Sequence, residues 1–423
     1  MNVWIINHYA SPPIYYDGFR HYKMAQNLIS KGHSVHIFTA STIHTTGDNL
    51  IGKGNTNLFL NETYEGINYT LIKTPSYAGN GLKRIRNMLG FSKKIKKLWK
   101  EYGKENPDII YVSSPHIFSA RSAEKFAKRH NIPCIVEVRD LWPLSIVEYK
   151  GISNTNPIIR FLYKLERKIY KEADAIIFTM EGGKDYIKDK KWKDAVSFNK
   201  IFHINNGLDL SAQEQQRNED VLLDDDLTDE CFKVIYAGSI RTVNAIDMLV
   251  KAFELLKDHS DIKLILYGEG EDKQKIAQYC VDNNLTNVIF KGHVNSKFIP
   301  YICSCADINI ISVKMTGVSK YGVSWNKLFD YMNAGKPILS TVSVNYDLLK
   351  KYNCGISLSD QSPQSIADAI LRFYDMPREE YDQMCANAKD AAKNYDYSKL
   401  TDKLEEVIEY AIEHHGEKNN AIH

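Results

Sequence analysis

Short apolar, β-branched runs alternate with longer stretches of helical periodicity along the whole chain. Runs at 3–7, 35–39, 108–113, 133–138, 175–179 and 201–204 predict strands in the first half. They are continuously apolar rather than alternating, as strands covered on both faces require. Amphipathic helices are expected at 18–30, 121–129 and 157–171, the last with Ile158, Phe161, Leu165 and Ile169 on its apolar face. After Asn206-Gly207-Leu208-Asp209 the pattern breaks, and 211–230, polar, acidic and poor in aromatics, reads as a linker. Alternation restarts with runs at 232–236, 262–267, 288–290, 308–312, 337–339 and 355–358. The pattern predicts an α/β chain of two doubly wound parallel-sheet domains in tandem. The tail from 377 is helical, and its last helix carries Leu400, Leu404, Ile408 and Ile412 at helical spacing.

Doubly wound sheets bind ligands at the carboxyl ends of their strands, so the loops there hold the candidate chemistry. In 316–338 a strand runs into a Gly- and Ser-rich loop and then a helix from about Asn326. The free N–H groups and positive dipole end of such a helix suit an anion. Lys327 and Asp330, three residues apart, share a helix face and offer a cation for phosphate beside an acceptor for ribose hydroxyls. A second loop at 236–241 brings Gly238, Ser239 and Arg241, a candidate phosphate clamp; a third holds Gly268 and Gly270, and a fourth His293 and Val294. By itself the Lys–Asp pair is equally an ordinary surface pair; four loops on one sheet edge change the balance.

The ordered set Arg139-Asp140-Leu141-Trp142-Pro143, Asn206-Gly207-Leu208-Asp209, Tyr236-Ala237-Gly238-Ser239, Gly268-Glu269-Gly270, Phe290-Lys291-Gly292, Asn326 to Met332 and Ala334-Gly335-Lys336-Pro337 resembles the retaining glycosyltransferases of family 4 with the GT-B fold. The likeness is greatest to the bacterial branch that builds O-antigen and capsule. It implies two Rossmann-like domains facing across a cleft: 1–207 on the acceptor side, a linker at 208–231, a nucleotide-sugar domain at 232–385, and C-terminal helices at 386–423 that cross back onto the first domain. It also implies a nucleotide-diphosphate sugar donor, uridine in preference to guanosine, with Asp330 at the ribose. Lys327, Asn326 and the amides of Gly322, Val323 and Ser324 would face the diphosphate, and His293 and Val294 the base. Transfer would retain the anomeric configuration, the leaving diphosphate helping to take the acceptor proton.

Three positions depart from the family pattern. Gly322 stands where the family has a glutamate, and Ser239 and Asn244 where it has an arginine and a lysine; Arg241 is the candidate substitute. In the first domain Gly18 and Arg20 lie on the loop and helix that the resemblance places near donor and acceptor, Arg20 being equally a phosphate ligand or a solvated helix residue. Arg139 and Asp140 leave a buried strand as a charged cluster. The resemblance puts them at the transferred sugar, Arg139 acting electrostatically because it stays protonated, Asp140 orienting the acceptor hydroxyl; a structural ion pair is the alternative. His8 and His116 also follow strands, with hydrogen-bonded structural histidines as the default reading.

Composition narrows the remaining classes. Lys plus Arg number 54 and Asp plus Glu 52, a net charge of +2, so no global field recruits nucleic acid. Seven scattered cysteines fit neither a disulfide scaffold nor a zinc set, and the N-terminal apolar run is too short for a secretory leader. A cytoplasmic protein without cofactor or metal is expected, and the Asp224-Asp225-Asp226 run reads as solvated charge. Charge is nevertheless segregated: 83–104 holds nine Lys or Arg and one acid, Glu101, around an expected apolar face of Ile85, Met88, Ser92, Ile95, Trp99 and Tyr102. Such a segment packs and still offers a basic rim to an anionic membrane at the inner face of the cell membrane. The resemblance implies a polyprenyl-diphosphate-linked glycan acceptor there; oligomeric state is left open. Rival readings are a sugar-nucleotide epimerase or hydrolase of the same fold, and a nucleotide-sugar-binding pseudoenzyme, which the missing glutamate at Gly322 favours.

Overall fold

The computed structural model describes residues 1–15, 19–44, 46–52, 54–77, 79, 81–114 and 116–416. The chain divides into two compact units, one of Met1–Asn205 with the segment from Tyr397, the other of Asn206–Asp396.

In the first unit β1 (Asn2–Asn7), β2 (Ser34–Ala40), β3 (Phe59–Tyr64), β4 (Ile67–Ile72), β5 (Ile109–Ser114), β6 (Cys134–Val138), β7 (Ala175–Phe178) and β8 (Ile201–His203) form one sheet, ordered β3-β4-β2-β1-β5-β6-β7-β8. Only β3 runs antiparallel, as a hairpin with β4 turned by Glu65 and Gly66, both at positive φ. The apolar pattern does not predict this hairpin, because β3 is an edge strand carrying Asn61, Glu62 and Thr63 rather than a continuous apolar run.

The helices Phe19–Ser30 and Tyr397–Glu413 cover one face, where Met24, Ala25 and Leu28 share a core with Leu400, Leu404 and Ile408. The return to this unit begins at Tyr397 rather than at the expected 386. The preceding helix, Arg378–Ala392, buries Met384, Ala388 and Ala391 in the second unit and so stays there.

The helices Leu82–Ile95, Ile117–His130 and Pro157–Glu172 lie side by side on the other face. The last is rotated from its expected orientation: Ile159, Leu162, Glu166, Ile169 and Tyr170 point inward, and Ile158 and Phe161 face solvent. Buried Glu166 accepts from Tyr170 Oη (2.8 Å) and Tyr186 Oη (2.9 Å), and burial pushes its pKa up to about 8. A carboxyl kept neutral and satisfied by two hydroxyls can enter a core, which a hydropathy pattern does not register. In the helix Leu82–Ile95 the buried residues are Asn87, Met88, Phe91, Ser92 and Ile95, so Ile85 lies outside the face expected for it.

The second unit is an all-parallel sheet of β9 (Phe232–Ala237), β10 (Ile262–Tyr267), β11 (Val288–Gly292), β12 (Ile308–Ile311), β13 (Ile338–Ser340) and β14 (Gly355–Ser357), ordered β11-β10-β9-β12-β13-β14. An apolar core fills each face. The expected linker at 208–231 is instead part of this unit, folded as helices Leu210–Glu219 and Asp225–Thr228. Leu208 and Leu227 anchor it in the core. Its acidic residues look solvated in sequence but meet lysines of the sheet: Asp224 accepts from Tyr267 Oη (2.7 Å) and Lys291 Nζ (2.6 Å), and Asp226 pairs with Lys291 (2.6 Å) and Lys263 (3.5 Å). Among the described residues no group of three His, Cys, Asp or Glu side chains could hold a metal ion.

Candidate functional site

Strand order in the second unit reverses between β9 and β12, and loops leaving adjacent strands in opposite directions open a crevice at the carboxyl edge. Three loops beside it are tied together through the backbone. Gly238 N donates to Tyr267 O (2.9 Å), Ile240 N to Glu269 O (2.9 Å), and Gly268 N to Gly292 O (2.7 Å). The glycines are required by this closeness: at Gly268, with φ +144°, a Cβ would stand 1.8 Å from Gly238 O, and at Gly270 2.0 Å from Ile240 O. Gly268→Ala therefore forces the two loops apart, and the thermal midpoint should fall by several degrees, about 1–3 kcal/mol. An unchanged midpoint by calorimetry would show that the loops yield freely.

From β12 the chain passes through a 3-10 turn, Gly317–Tyr321, into the helix Asn326–Ala334, whose N-cap Trp325 makes no side-chain capping bond. Lys327 in its first turn donates to Tyr236 Oη (3.1 Å) and lies 4.3 Å from the centre of that ring. A Cβ on Gly238 would reach to 2.8 Å from Lys327 Nζ, so the ammonium sits directly against the β9 loop. Burial lowers the Lys327 pKa to about 8, Asp330 opposing the shift. Burial raises Asp330 to about 6 against the pull of Gln213 and Lys327. Between these values cation and carboxylate are both charged, one turn apart on a helix start.

Three residues of this site are not apparent in the sequence pattern. Gln213, from the expected linker, donates through Nε2 to Asp330 Oδ1 (2.6 Å) and accepts from Asn333 Nδ2 (2.8 Å), which fixes its amide orientation. Asn206 binds the loop before the helix, its N donating to Ser324 Oγ (2.9 Å) and its Nδ2 to Ser324 O (2.7 Å). Ser324, expected to face a diphosphate, thus has its hydroxyl and carbonyl engaged with Asn206. Tyr236 carries Lys327 and donates to Ser239 O (2.9 Å). The only sequence signal was the motif membership of Asn206 and Tyr236; Gln213 had none.

The remaining residues expected to bind a donor line the same edge. Arg241 and His293 are exposed, Val294 packs partly into the core, and Asn326 is exposed at the first helical position. Ser239 accepts from Asn244 Nδ2 through both its carbonyl (2.6 Å) and its hydroxyl (2.9 Å), closing the β9 loop on itself.

In the first unit Gly18 lies outside the described residues. Arg20 is neither a solvated helix residue nor an open ligand. It is 4% exposed and donates to Glu137 Oε1 through Nε (2.9 Å) and Nη2 (2.6 Å), and also to the carbonyls of Ile204 and Asn205. Glu137 further accepts from Ser113 Oγ (2.6 Å), Tyr111 Oη and His21 Nε2 (3.0 Å). Since Asn7 Nδ2 can only donate to His21 Nδ1, the proton of that ring is on Nε2. A charge this deep needs a partner, and Glu137, itself fully buried, supplies it.

Arg139 and Asp140 follow at the end of β6, Arg139 half-buried and Asp140 exposed. His8 and His116, on the loops flanking the switch between β1 and β5, are fully buried. His116 Nε2 donates to His8 Nδ1 (3.1 Å) and His8 Nε2 to Asn87 Oδ1 (2.6 Å). Burial holds both neutral, His116 down at about 3.

The sequence pattern described as Glycosyltransferase Family 4 matches residues 21–212, and that described as Glycosyl transferases group 1 matches 231–376. The chain belongs to glycosyltransferase family 4. Its fold is GT-B, as in the sucrose-phosphate synthase of Thermosynechococcus elongatus (TM-score 0.70, 16% identity, 97% of this chain and 98% of that one). HepE of Anabaena, solved in complex with UDP, is similar at TM-score 0.65 and 13% identity over 97% of this chain and all, 100%, of that one. WaaG, a glycosyltransferase involved in lipopolysaccharide biosynthesis, gives 0.63 and 12% over 96% and 99%. At such identities the likeness is one of fold. An uncharacterised glycosyltransferase of Methanocaldococcus jannaschii is 24% identical over 187 residues, 43% of this chain and 46% of that protein, so the match spans about half of that relative.

In this family-4 chain the departures from the family pattern have structural counterparts. Gly322, where the family's glutamate is expected, has φ 87° and ψ −178°, a backbone conformation open essentially to glycine alone. The absent carboxylate is therefore built into the course of the loop. Ser239 and Asn244, in place of the basic pair, bond to each other as already described.

Proposed function

We propose that the chain transfers a sugar from a nucleotide-diphosphate sugar, uridine in preference to guanosine, to a lipid-linked glycan acceptor. Transfer retains the anomeric configuration, uses no metal ion and serves cell-surface polysaccharide synthesis. The observation that carries this reading is the placement of Lys327 and Asp330 one turn apart on a helix start, without a side-chain cap, at the sheet's switch point.

Lys327 and the first-turn amides stabilise charge that grows on the diphosphate as the bond to the sugar breaks. Asp330 accepts from the ribose hydroxyls, held by Gln213. Gly238 and Gly268 let the backbone approach the donor, Arg241 reaches the diphosphate, and His293 and Val294 receive the base. Asp140 orients the acceptor hydroxyl, with Arg139 supplying positive potential. The acceptor reading places the protein at an anionic membrane surface through 83–104, where Lys93, Lys96, Lys97 and Lys100 are exposed. Among the described residues no helix is long and apolar enough to cross a membrane.

A thermal-shift panel of nucleotide diphosphates and their sugars tests the donor assignment. A donor at 100 times its Kd should stabilise the fold by about 2.7 kcal/mol, and Arg241→Gln should weaken that shift. No shift with any nucleotide would defeat the reading; shifts without transfer to any acceptor would leave a nucleotide-sugar-binding pseudoenzyme.

A further inference from the structure

The helix Pro157–Glu172 presents the wrong face to solvent for a helix whose task is only to cover a sheet. Ile158 is 69% exposed and Phe161 61%, and Tyr149 on the short preceding helix, Leu144–Lys150, is 54% exposed. Scattered exposed apolar residues need no explanation, but these two share one face and are bordered by exposed Arg160, Lys164 and Lys168. The helix has no acid on that face before Glu172, because Glu166 is turned into the core. The same composition recurs two helices away. Leu82 (79% exposed), Ile85 (45%) and Leu89 (37%) stand out from the helix Leu82–Ile95 beside exposed Lys83 and Arg86, again without an acid in the helix.

Topology puts both sets at one edge. Each helix belongs to a parallel crossover, β4 to β5 and β6 to β7, so each begins at the carboxyl end of the sheet, where β6 also delivers Asp140. The helix Ile117–His130 lies between them on the same face. At 8–10 Å per helix neighbour the two apolar clusters are about 16–20 Å apart. Two greasy, cation-bordered helix starts at that spacing suit a broad anionic plane better than a single peptide groove.

We propose that this edge of the first unit is a two-point bilayer contact: Ile158 and Phe161 at one point and Leu82, Ile85 and Leu89 at the other enter the headgroup region, while the bordering cations meet anionic lipid. The occupant is an anionic phospholipid surface, chosen because both clusters carry cations and neither helix offers an acid on its exposed face. The contact deepens the membrane part of the proposed function and rests on it for its purpose, which is to bring a lipid-linked acceptor to the edge that holds Asp140. It differs from attachment through the lysines of 83–104 alone in requiring apolar insertion on a helix outside that segment.

The test is sedimentation of the full chain with vesicles of phosphatidylcholine alone or with added phosphatidylglycerol. Binding is expected only to the anionic vesicles and should weaken with salt. Ile158→Ser with Phe161→Ser should weaken it about tenfold or more, and Arg160→Gln with Lys164→Gln about 25-fold, at roughly fivefold per cation. All four residues are exposed, so the variants should keep the parent's melting midpoint. Anionic-vesicle binding unchanged by Ile158→Ser with Phe161→Ser, or an exposed face that instead drives a concentration-dependent increase in mass, overturns the proposal. Vesicle binding is read without donor or acceptor, so failure of sugar transfer with vesicle binding intact would count against the proposed function and leave the contact standing.

Discussion

Lys327→Met should lower kcat/KM for the sugar donor by about 10²–10³-fold, the loss expected when one preorganised charge is removed from a developing anion. The side chain's shape is nearly kept, and the helix start and the Gly238 loop have no other reason to move. The pH dependence is the more discriminating readout, since kcat/KM reports groups of the free enzyme. Burial sets Lys327 near 8 and Asp330 near 6. Donor use by the parent protein should therefore fall below about pH 6, as Asp330 gains a proton and loses acceptor capacity, and above about pH 8, as Lys327 loses its charge. The two groups interact, so both limbs belong to the pair. Lys327→Met should lose the alkaline limb. A variant with parental kcat/KM and an intact alkaline limb would remove Lys327 from the donor site.

Glu137→Ala should destabilise the first unit by about 3–5 kcal/mol, the usual effect of breaking a buried ion pair and stranding one charge. Arg20, 4% exposed, would lose its carboxylate, and Ser113 Oγ, Tyr111 Oη and His21 Nε2 would lose their acceptor. The pH dependence has a definite sign. Burial alone would raise the Glu137 pKa, but Arg20 and His21 hold it well below the ordinary value of 4.5. A depressed carboxylate contributes stability that is fully present above that ordinary value and is lost as pH falls through the folded one. The difference in urea stability between the parent and Glu137→Ala should therefore be steady from neutrality to about pH 5 and narrow only in stronger acid. Equal urea midpoints at pH 7 would mean that the cluster relaxes without loss.

The division between local and distant information runs through both predictions. The alternation of apolar runs and helical periods, the glycines of the β9 and β10 loops, and Lys327 three residues before Asp330 are short-range features. Propensity, strand burial and the chemistry of a helix start act over a few residues, so they can be read along the chain. The order of the loops was likewise legible because each follows its own strand.

Other features depend on what folding brings together. Gln213 meets Asp330, and Arg20 meets Glu137, in each case across 117 residues, and no local pattern encodes such a meeting. The segment 211–230 looked like a linker because its polar residues find partners, such as Lys291 for Asp224, on strands far along the chain. The helix Pro157–Glu172 is rotated from the face its apolar residues predict, because two tyrosine hydroxyls, one from another helix, make a buried site for Glu166. Sequence alone determined the βα alternation, the two sheets and the helix start that carries Lys327 and Asp330, since those follow from periodicity and backbone chemistry. Only the tertiary structure decided which charges are sealed in pairs and which face outward, because the free energy of burying a polar group is set by partners that sequence distance does not reveal.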